Sequence, residues 1–388
     1  MVIIMNFFVL MVVLSPFTAI IPGIYGLYLL YKKRIAIEKN YLIVGMIALF
    51  TTLFISGIIN KSILSTAGSL LLVPYIGIVI ISQNYFISRK RIENTFKCLV
   101  SLSAVTAVIG IIEKIVFILI EKPTHRIFST YGNPNMTGAW FASMILVGIF
   151  LKYKLKNKDK KINIYLILMT IALLLTESSG AFVAFLASIS AYFLVDKNRD
   201  KKKIIIMALI IMVVFSLFIF IQKNVNSITL VDEVKVSFSS RYDVWIGSIQ
   251  MFLLKPILGW GSLGTLEHGI DFMYNNGNII HSHNIWLTFL VSGGIVALTI
   301  YLFIKYNIIK DLIKIYKRHN DYICILVSLN IMVIVQGLVD CSLYAPQLAA
   351  LFMMINAIAI NIVAGKIKGN KHIKKVKIKR YERKIIAS

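Results

Sequence analysis

The chain is poor in cysteine, proline and acidic residues. It has 3 cysteines and 7 prolines among 388 residues, and 17 acidic residues stand against 42 basic ones. Cys98, Cys324 and Cys341 all fall in or at the ends of apolar segments. The sequence therefore indicates neither a disulfide framework nor a metal site built on paired cysteines.

Apolar residues make up most of the chain. The hydrophobic fraction is 58%, the charged fraction is 15% and the mean hydropathy is +0.80. A soluble domain of this length could not remove so much apolar surface from water. Repeated apolar runs of about 20 residues fit the bilayer core instead, and in lipid such segments are helical because each must satisfy its own backbone hydrogen bonds. The sequence predicts an all-α, polytopic integral membrane protein whose residues 1–388 form a single membrane domain.

The net charge of +25 is typical of nucleic-acid-binding proteins, but the distribution of the charge argues against nucleic-acid binding. The basic clusters lie between apolar runs, on alternate sides of the predicted membrane, which is the positive-inside pattern. These clusters favour a role in topology and in contact with anionic lipid. We therefore expect a lipid bilayer and no nucleic acid among the partners.

The charge pattern and the apolar runs together predict about twelve transmembrane helices in the cytoplasmic membrane, with both termini cytoplasmic. Residues 223–283 would form one long extracytoplasmic loop and residues 365–388 a basic cytoplasmic tail. Eleven spans is the alternative. The first run is interpreted as an uncleaved span. The predicted spans are 2–14, 17–31, 41–59, 63–85, 98–120, 136–151, 162–176, 180–195, 204–222, 284–304, 322–340 and 347–364.

The predicted outer segments carry the side chains that are best suited to binding a substrate or transferring a proton. Arg126 and Arg241 are the arginines that fall outside the cytoplasmic segments, and the planar guanidinium matches a phosphate with two hydrogen bonds. His281 and His283 stand at the mouth of the span at 284–304. Arginines, histidines and aromatic residues together suggest a site for an anionic amphiphile, and a lipid diphosphate fits that description.

Each of these residues also has a structural interpretation. Arg126 can be a solvated loop residue, and Arg241 can snorkel from an amphipathic interfacial helix at 241–254. The pair His281-x-His283 can be half of a metal site, but no third ligand lies at helical spacing, so we expect no metal and no cofactor. Asp340, at the outer end of a span, can cap or pair structurally or can orient an arginine.

Three stretches together resemble the O-antigen ligase / O-antigen polymerase family of membrane glycosyltransferases, over roughly residues 120–360. His283-Asn284-Ile285-Trp286-Leu287, followed after six residues by Gly294, is similar to the family's His-Asn-x-x-Leu-x6-Gly signature. Gly132-Asn133-Pro134-Asn135 resembles its Gly-Asn-Pro-Asn segment. Residues 241–261, with Trp245, Pro256 and Gly259-Trp260-Gly261, resemble its Arg…Trp…Pro-x-x-Gly-x-Gly region. One departure is at Ser178-Ser179-Gly180, where the family often has Ser-Arg-Gly.

The resemblance implies transfer of a glycan from an undecaprenyl-diphosphate-linked oligosaccharide to a hydroxyl of an acceptor glycan, on the outer face of the membrane. By position, His283 would be the general base, and Arg241 and Arg126 would hold the diphosphate. Asn135, Tyr242, Trp245 and Asn284 are the further candidate substrate-binding residues. Other polysaccharide-assembly proteins are expected partners.

Three alternatives stay open. A ligase uses the same donor as a polymerase and differs only in its acceptor; the Lys-, Ile- and Asn-rich composition suggests an AT-rich, Gram-positive genome without lipid A, which favours a polymerase. A lipid-linked oligosaccharide flippase should have ionisable residues or helix breaks in the middle of corresponding spans, and few are present. A membrane scaffold without activity is the third alternative, and the outer concentration of Arg, His and aromatic residues argues against it.

Overall fold

The computed structural model describes residues 2–196, 230–273, 279–318 and 320–367, and the side chains from residues 5 and 241 onward in the first two ranges. The predicted span at 204–222 and nearly all of the predicted tail at 365–388 lie outside the described residues. Within them every regular element is a helix. The α-helices are α1 (Val2–Leu14), α2 (Ile21–Tyr31), α3 (Tyr41–Ile59), α4 (Ile63–Ser69), α5 (Val73–Tyr85), α6 (Arg89–Leu119), α7 (Pro134–Tyr153), α8 (Lys161–Leu175), α9 (Ser179–Val195), α10 (Leu230–Leu254), α11 (Gly264–His268), α12 (Ile285–Lys317), α13 (Ile323–Gln336) and α14 (Pro346–Val363).

Six segments of the described chain are long and apolar enough to cross a membrane. They are Tyr41–Ile59, Ile63–Tyr85, Arg89–Leu119, Pro134–Tyr153, Ile285–Lys317 and Pro346–Val363. Five further apolar helices are shorter, between 10 and 17 residues. The protein is therefore a multi-pass helical membrane protein, while the count of about twelve spans stays a prediction.

Two helices extend well beyond the spans that the sequence predicted. α12 continues through Lys317, although hydropathy ends the span at residue 304, and α6 begins at Arg89 and not at residue 98. The 33 residues of α12 correspond to about 50 Å of helix, which exceeds a hydrocarbon core of about 30 Å. The apolar run sets only the part of a helix that lipid covers, because lysine and arginine also favour helix.

The helices that approach the site begin at side chains which cap them. Asn133 accepts a hydrogen bond from the amide of Asn135 at the start of α7, and Ser178 accepts one from Ala181 at the start of α9. Asn284 accepts hydrogen bonds from two amides at the start of α12. Short polar side chains satisfy the free N–H groups of a first helical turn, so these residues fix where each helix starts.

The core is formed around α7 and α14, which are the most enclosed of the candidate spans. Trp140 and Phe141 of α7 are fully buried, as is Ile358 of α14. α13 packs along both α9 and α7, and α12 packs against α3 and α14. This arrangement brings the beginnings of α7, α9 and α12 and the end of α13 to the same end of the bundle.

α12 is broken in its first half by two adjacent glycines. Gly293 and Gly294 have non-helical backbone angles, and Gly294 has φ 62° and ψ −159°, a conformation that is essentially restricted to glycine. A Cβ atom on Gly294 would lie 2.2 Å from the backbone oxygen of Ile257. The last glycine of the family signature is therefore a structural requirement of this break.

The turn at residues 256–261 fits into the break in α12. The amide of Trp260 donates to the carbonyl of Val291, and the amide of Gly261 donates to the carbonyl of Ser292, both at 2.8 Å. These carbonyls lose their helical partners at the break, so the turn supplies replacement donors for buried polar groups. The two glycine-containing motifs of the sequence thus form one structural unit.

Candidate functional site

Two histidines at the beginning of α12 meet a buried carboxylate from the end of α13. Nε2 of His281 and Nδ1 of His283 each lie 3.5 Å from Oδ1 of Asp340. Asp340 is only 1% exposed, and the same oxygen accepts a hydrogen bond of 2.7 Å from the amide of Cys341. Both imidazoles therefore share one oxygen of a single carboxylate.

His283 is held in an unusual backbone conformation. Its φ is 46°, in the left-handed region that few residues other than glycine adopt. Its amide donates to Nδ1 of His281 over 3.2 Å, and Asn284, which follows it, caps α12 and donates from Nδ2 to the carbonyl of Leu338. Such strain persists where the surroundings over-determine a residue, and it is concentrated at functional sites.

The hydrogen bonds define which nitrogen of His281 carries the proton. Nδ1 of His281 accepts the amide of His283, so neutral His281 carries its proton on Nε2, which faces Asp340. Burial lowers the pKa of His281 to about 4, and the neighbouring carboxylate offsets only part of that effect. His281 is therefore neutral near pH 7 and presents an N–H to Asp340.

Asp340 is ionised in this environment. Burial alone raises the pKa of its carboxyl, but the two imidazoles and the Cys341 amide together bring the pKa below its usual value. Nδ1 of His283 is buried and makes no hydrogen bond of normal geometry with the described residues, so its contact with Asp340 is electrostatic at this separation. A proton on Nδ1 would be stabilised there, which would leave Nε2 of His283 to accept another.

Asn135 connects the carboxylate to the arginine of the 121–133 loop. Its Nδ2 donates to Oδ2 of Asp340 over 3.1 Å. Its Oδ1 accepts hydrogen bonds from Nη2 of Arg126 at 3.0 Å and from Oγ of Ser178 at 3.1 Å. Arg126, Asn135, Asp340 and His283 thus form a continuous chain of polar contacts through three helix ends.

Arg126 lies against the tip of the hairpin between α8 and α9. Its Nε donates to the carbonyl of Thr176 over 2.9 Å. The tip also contains Ser178-Ser179-Gly180, where the resemblance described above predicts an arginine. A guanidinium is therefore present at this position of the structure, although it comes from a different segment of the chain.

The loop that carries Arg126 is anchored to α6 by two adjacent charged residues. Nζ of Lys114 donates to the carbonyls of Pro123 and His125, both at 2.7 Å, and lies 3.2 Å from the carboxylate of Glu177. The carboxylate of Glu113 accepts the amides of residues 128 and 129 and contacts Nε2 of His125 at 2.8 Å. His125 therefore has a structural role, and Glu113 and Lys114 fix the loop.

α10 brings Trp245 to the same end of the bundle. Nε1 of Trp245 lies 3.4 Å from the carbonyl of His283 and donates a hydrogen bond to it. Arg241 precedes Trp245 by one helical turn on α10, so the two residues lie on neighbouring parts of one face. Tyr242 is the next residue after Arg241 on α10 and is 56% exposed. The structure thus brings Trp245 to His283 and leaves Tyr242 largely exposed.

Among the described residues, His281, His283 and Asp340 are one group that could in principle hold a metal ion, with ligand atoms within 4.8 Å of one another. A metal ligand needs a lone pair on Nε2 of His281, and the proton would then move to Nδ1. Nδ1 faces the amide of His283, so two donors would oppose each other. The trio fits a proton-carrying network better than a metal centre.

The sequence leaves the role of Asp340 open among capping, pairing and orienting an arginine. The structure places it against the two histidines and Asn135, so it pairs with both imidazoles, and it also accepts the amide of Cys341. Ser178 stands out in the sequence only for the missing arginine beside it, and nothing there predicts its contact with Asn135. The one signal in the sequence that points to this site is Asp340 itself, an acidic residue at the end of an apolar segment.

These features define a class of protein. It is a multi-pass helical membrane protein in which arginine, asparagine, aspartate and histidine side chains converge at one end of the bundle.

The family is indicated by residues 164–302, which match the family model described as O-antigen ligase. The match supports assignment to the O-antigen ligase / O-antigen polymerase family, and the similarity extends over that range of the chain. The matched range contains Arg241, Trp245, His281 and His283, while Arg126, Asn135 and Asp340 lie outside it. No curated protein matches the chain.

Proposed function

We propose that this protein is a glycosyltransferase which moves a glycan from an undecaprenyl-diphosphate carrier to the hydroxyl of an acceptor sugar, and that it acts as a polysaccharide polymerase. The observation that carries the proposal is the continuous polar chain from Arg126 through Asn135 and Asp340 to His283. This chain joins a cation suited to phosphate to a histidine suited to accepting a proton. We place the reaction on the outer face of the cytoplasmic membrane.

In the proposed reaction, Nε2 of His283 removes the proton of the acceptor hydroxyl as its oxygen attacks the anomeric carbon of the donor. The new glycosidic bond forms while the bond from that carbon to the diphosphate oxygen breaks. The diphosphate leaves with the electron pair, still attached to its isoprenoid. No nucleotide is required, because the lipid diphosphate is itself the leaving group.

Each residue of the site has a distinct task in this reaction. The side chain of His283 is 29% exposed, so an acceptor can reach it, while buried Asp340 fixes the ring and stabilises the imidazolium that forms. Arg126 and Arg241 stabilise the departing diphosphate, which is electrostatic catalysis in a partly dry site. Arg126 is held against the α8–α9 hairpin, and it replaces the arginine that relatives often carry at the position of Ser179.

A ligase is the second candidate, because the matching family model is described as O-antigen ligase. It would use the same donor and the same base, and only the acceptor would differ. The trio of residues around Asp340 would serve either reaction.

The test is extraction of lipid-linked glycan from cells that lack the protein and from cells that carry His283→Ala. A polymerase predicts that single lipid-linked repeats accumulate in both and that long polymer is lost. Full-length lipid-linked polymer in both would identify a ligase. Repeats confined to the cytoplasmic leaflet would identify a flippase and overturn the proposal.

A matched control is His268→Ala. His268 also lies in the segment before α12, but its ring packs 4.7 Å from that of Trp260 and it has no contact with Asp340 among those described. This variant should produce polymer at the normal level. Equal loss in both histidine variants would mean that the segment, and not the base, was damaged.

A further inference from the structure

α10 carries a stripe of exposed apolar side chains. Ile246, Ile249 and Leu253 are 39%, 43% and 67% exposed. Their spacing of three or four residues puts them on one face of the helix. Three large apolar side chains exposed along one helix face exceed the scattered exposure of an ordinary surface.

The opposite face of α10 packs on the protein. Val244 and Met251 are buried together with Val291 of α12, and Ser248 is fully buried. Gln250 lies along one edge of the stripe and is exposed, and Leu254, one turn after it, is 63% exposed. The helix therefore has one side that packs on the protein and one exposed side that is mainly apolar, which lets it lie against lipid.

The stripe continues into the exposed face of α12. Ile257 lies three residues after the end of α10 and is 65% exposed, and its carbonyl accepts the amide of Val296. The amide of Ile295 donates to the carbonyl of Pro256 at 2.8 Å, and Ile295 is 49% exposed. From there Leu302, Phe303 and Tyr306 carry the exposed apolar surface along α12. The stripe is thus one continuous surface with the side of a candidate membrane span.

We propose that the stripe on α10 is inserted into the lipid of the outer leaflet, so that α10 is a membrane-embedded helix and not part of an aqueous loop. The occupant of this surface is the acyl region of the bilayer. Lipid covers the exposed side of α12, and the mainly apolar surface continues through Ile257 to Leu253. The C-terminal end of α10 therefore lies deepest.

This placement gives the site a defined height, on the assumption that the proposed function is correct. Arg241 and Leu253 are twelve residues apart, which is about 18 Å along the helix axis. With Leu253 in the acyl region, Arg241 rises toward the headgroups, where the diphosphate of a lipid carrier also resides. The isoprenoid would then remain in the bilayer while its diphosphate reaches Arg241.

The test is fluorescence quenching in vesicles of phosphatidylcholine and phosphatidylglycerol, with the full-length chain carrying Ile249→Trp or Leu253→Trp. The signal of the unmodified chain, with its four tryptophans, is subtracted. Both added tryptophans should lose emission to lipids brominated on the acyl chain, and Leu253→Trp should respond more strongly to bromine placed nearer the chain end. Gln250→Trp, at the edge of the stripe, should be quenched less, and Thr124→Trp, on the exposed 121–133 loop, should be quenched by aqueous iodide alone.

Two outcomes would overturn the proposal. Quenching of Ile249→Trp by iodide and not by brominated lipid would place the stripe in water. Protection from both quenchers, with cross-linking between copies, would place a second copy of the chain on it. Because quenching needs no substrate, it reports on the position of α10 even if the protein proves not to be a glycosyltransferase.

A functional arm links the position of α10 to catalysis. Leu253→Lys should raise the KM for a lipid-linked donor more than Gln250→Lys does, since only the first change puts a charge in the acyl region. Equal KM values in both lysine variants, together with strong quenching of the added tryptophans by brominated lipid, would mean that α10 lies in the membrane but does not contribute to donor binding.

Discussion

Nδ1 of His283 lies 3.5 Å from Oδ1 of Asp340, although one residue precedes α12 and the other follows α13. Asp340 is buried and also receives a hydrogen bond from Asn135, so its position is fixed from two sides. This relationship is the centre of the candidate site, and the following expectations depend on it.

His283→Ala should leave the fold intact and reduce glycan transfer by about 10²–10⁴-fold, which is the usual contribution of a general base. Asp340→Asn should keep the volume of the side chain but remove its charge, and it should reduce kcat with little change in KM. Both are measured with purified protein and a lipid-linked donor, beside thermal stability.

Chemical rescue distinguishes the two roles. Added imidazole should restore part of the rate to His283→Ala, because a diffusible base can occupy the space of the missing ring. It should not restore Asp340→Asn, in which the ring is still present. Rescue of both variants, or of neither, would contradict the assignment of His283 as base and Asp340 as its positioning residue.

The pH dependence of stability follows from His281. Its pKa is about 4 in the folded protein against 6.5 for the free side chain, so the unfolded chain binds a proton first as the pH falls. Stability should therefore be lost between pH 6.5 and pH 4, by on the order of 3 kcal/mol in total. Asp340, whose pKa is also lowered, acts in the same direction at lower pH. The apparent Tm measured across this range should fall, and His281→Gln should flatten the fall.

Asn135 is expected to couple the arginine to the carboxylate. Asn135→Leu would leave the hydrogen-bonding groups of Arg126, Ser178 and Asp340 without this partner, and each buried group left unsatisfied costs about 1–3 kcal/mol. Transfer should fall and the KM for the donor should rise. A double-mutant cycle with Arg126→Lys should give less than additive losses, and additive losses would mean that the two side chains act independently.

Gly294→Ala should prevent normal folding of α12, because the new Cβ would lie 2.2 Å from the backbone oxygen of Ile257. Gly365→Ala is a matched control. Gly365 also has a positive φ, of 76°, but a Cβ atom there would have no described neighbour within 4 Å. The control should lose about 1 kcal/mol from backbone strain alone. The comparison is made by measuring the yield and Tm of the two purified variants. An equal loss of stability in both would show that contact with Ile257 is not the cause.

Hydropathy predicted most of the helices closely, because a lipid-covered segment must be apolar along its whole length. The predicted span at 41–59 is α3, and the span at 63–85 covers α4 and α5. It could not predict that α12 extends to Lys317, because charge ends a span but does not end a helix. It also counted about twelve spans, whereas six segments of the described chain meet the criteria of length and hydropathy.

The candidate site was predictable only in part. The family motifs proposed His283, Arg241, Asn135 and Trp245 as candidates, but they could not pair His283 with Asp340, since contacts between loops leave no periodic signal in a single sequence. The motifs also combined two kinds of residue. Gly259 and Gly294 belong to the signatures because the backbone requires them, whereas His283 offers a side chain that can take part in a reaction.

The break in α12 has a further consequence for the spacing of the family signature. The length of the helical segment between His283 and the glycines determines both the height of His283 along the helix axis and the direction in which its side chain points. Each residue added or removed would shift His283 by about 1.5 Å along the axis and turn it by about 100°. The turn at 256–261 holds the glycine end of this segment in place, and the carboxylate of Asp340 contacts His283 at the other end. The number of residues between His283 and Gly294 therefore sets the direction of the His283 side chain around the helix axis. Adding or removing even one residue would turn the imidazole away from Asp340.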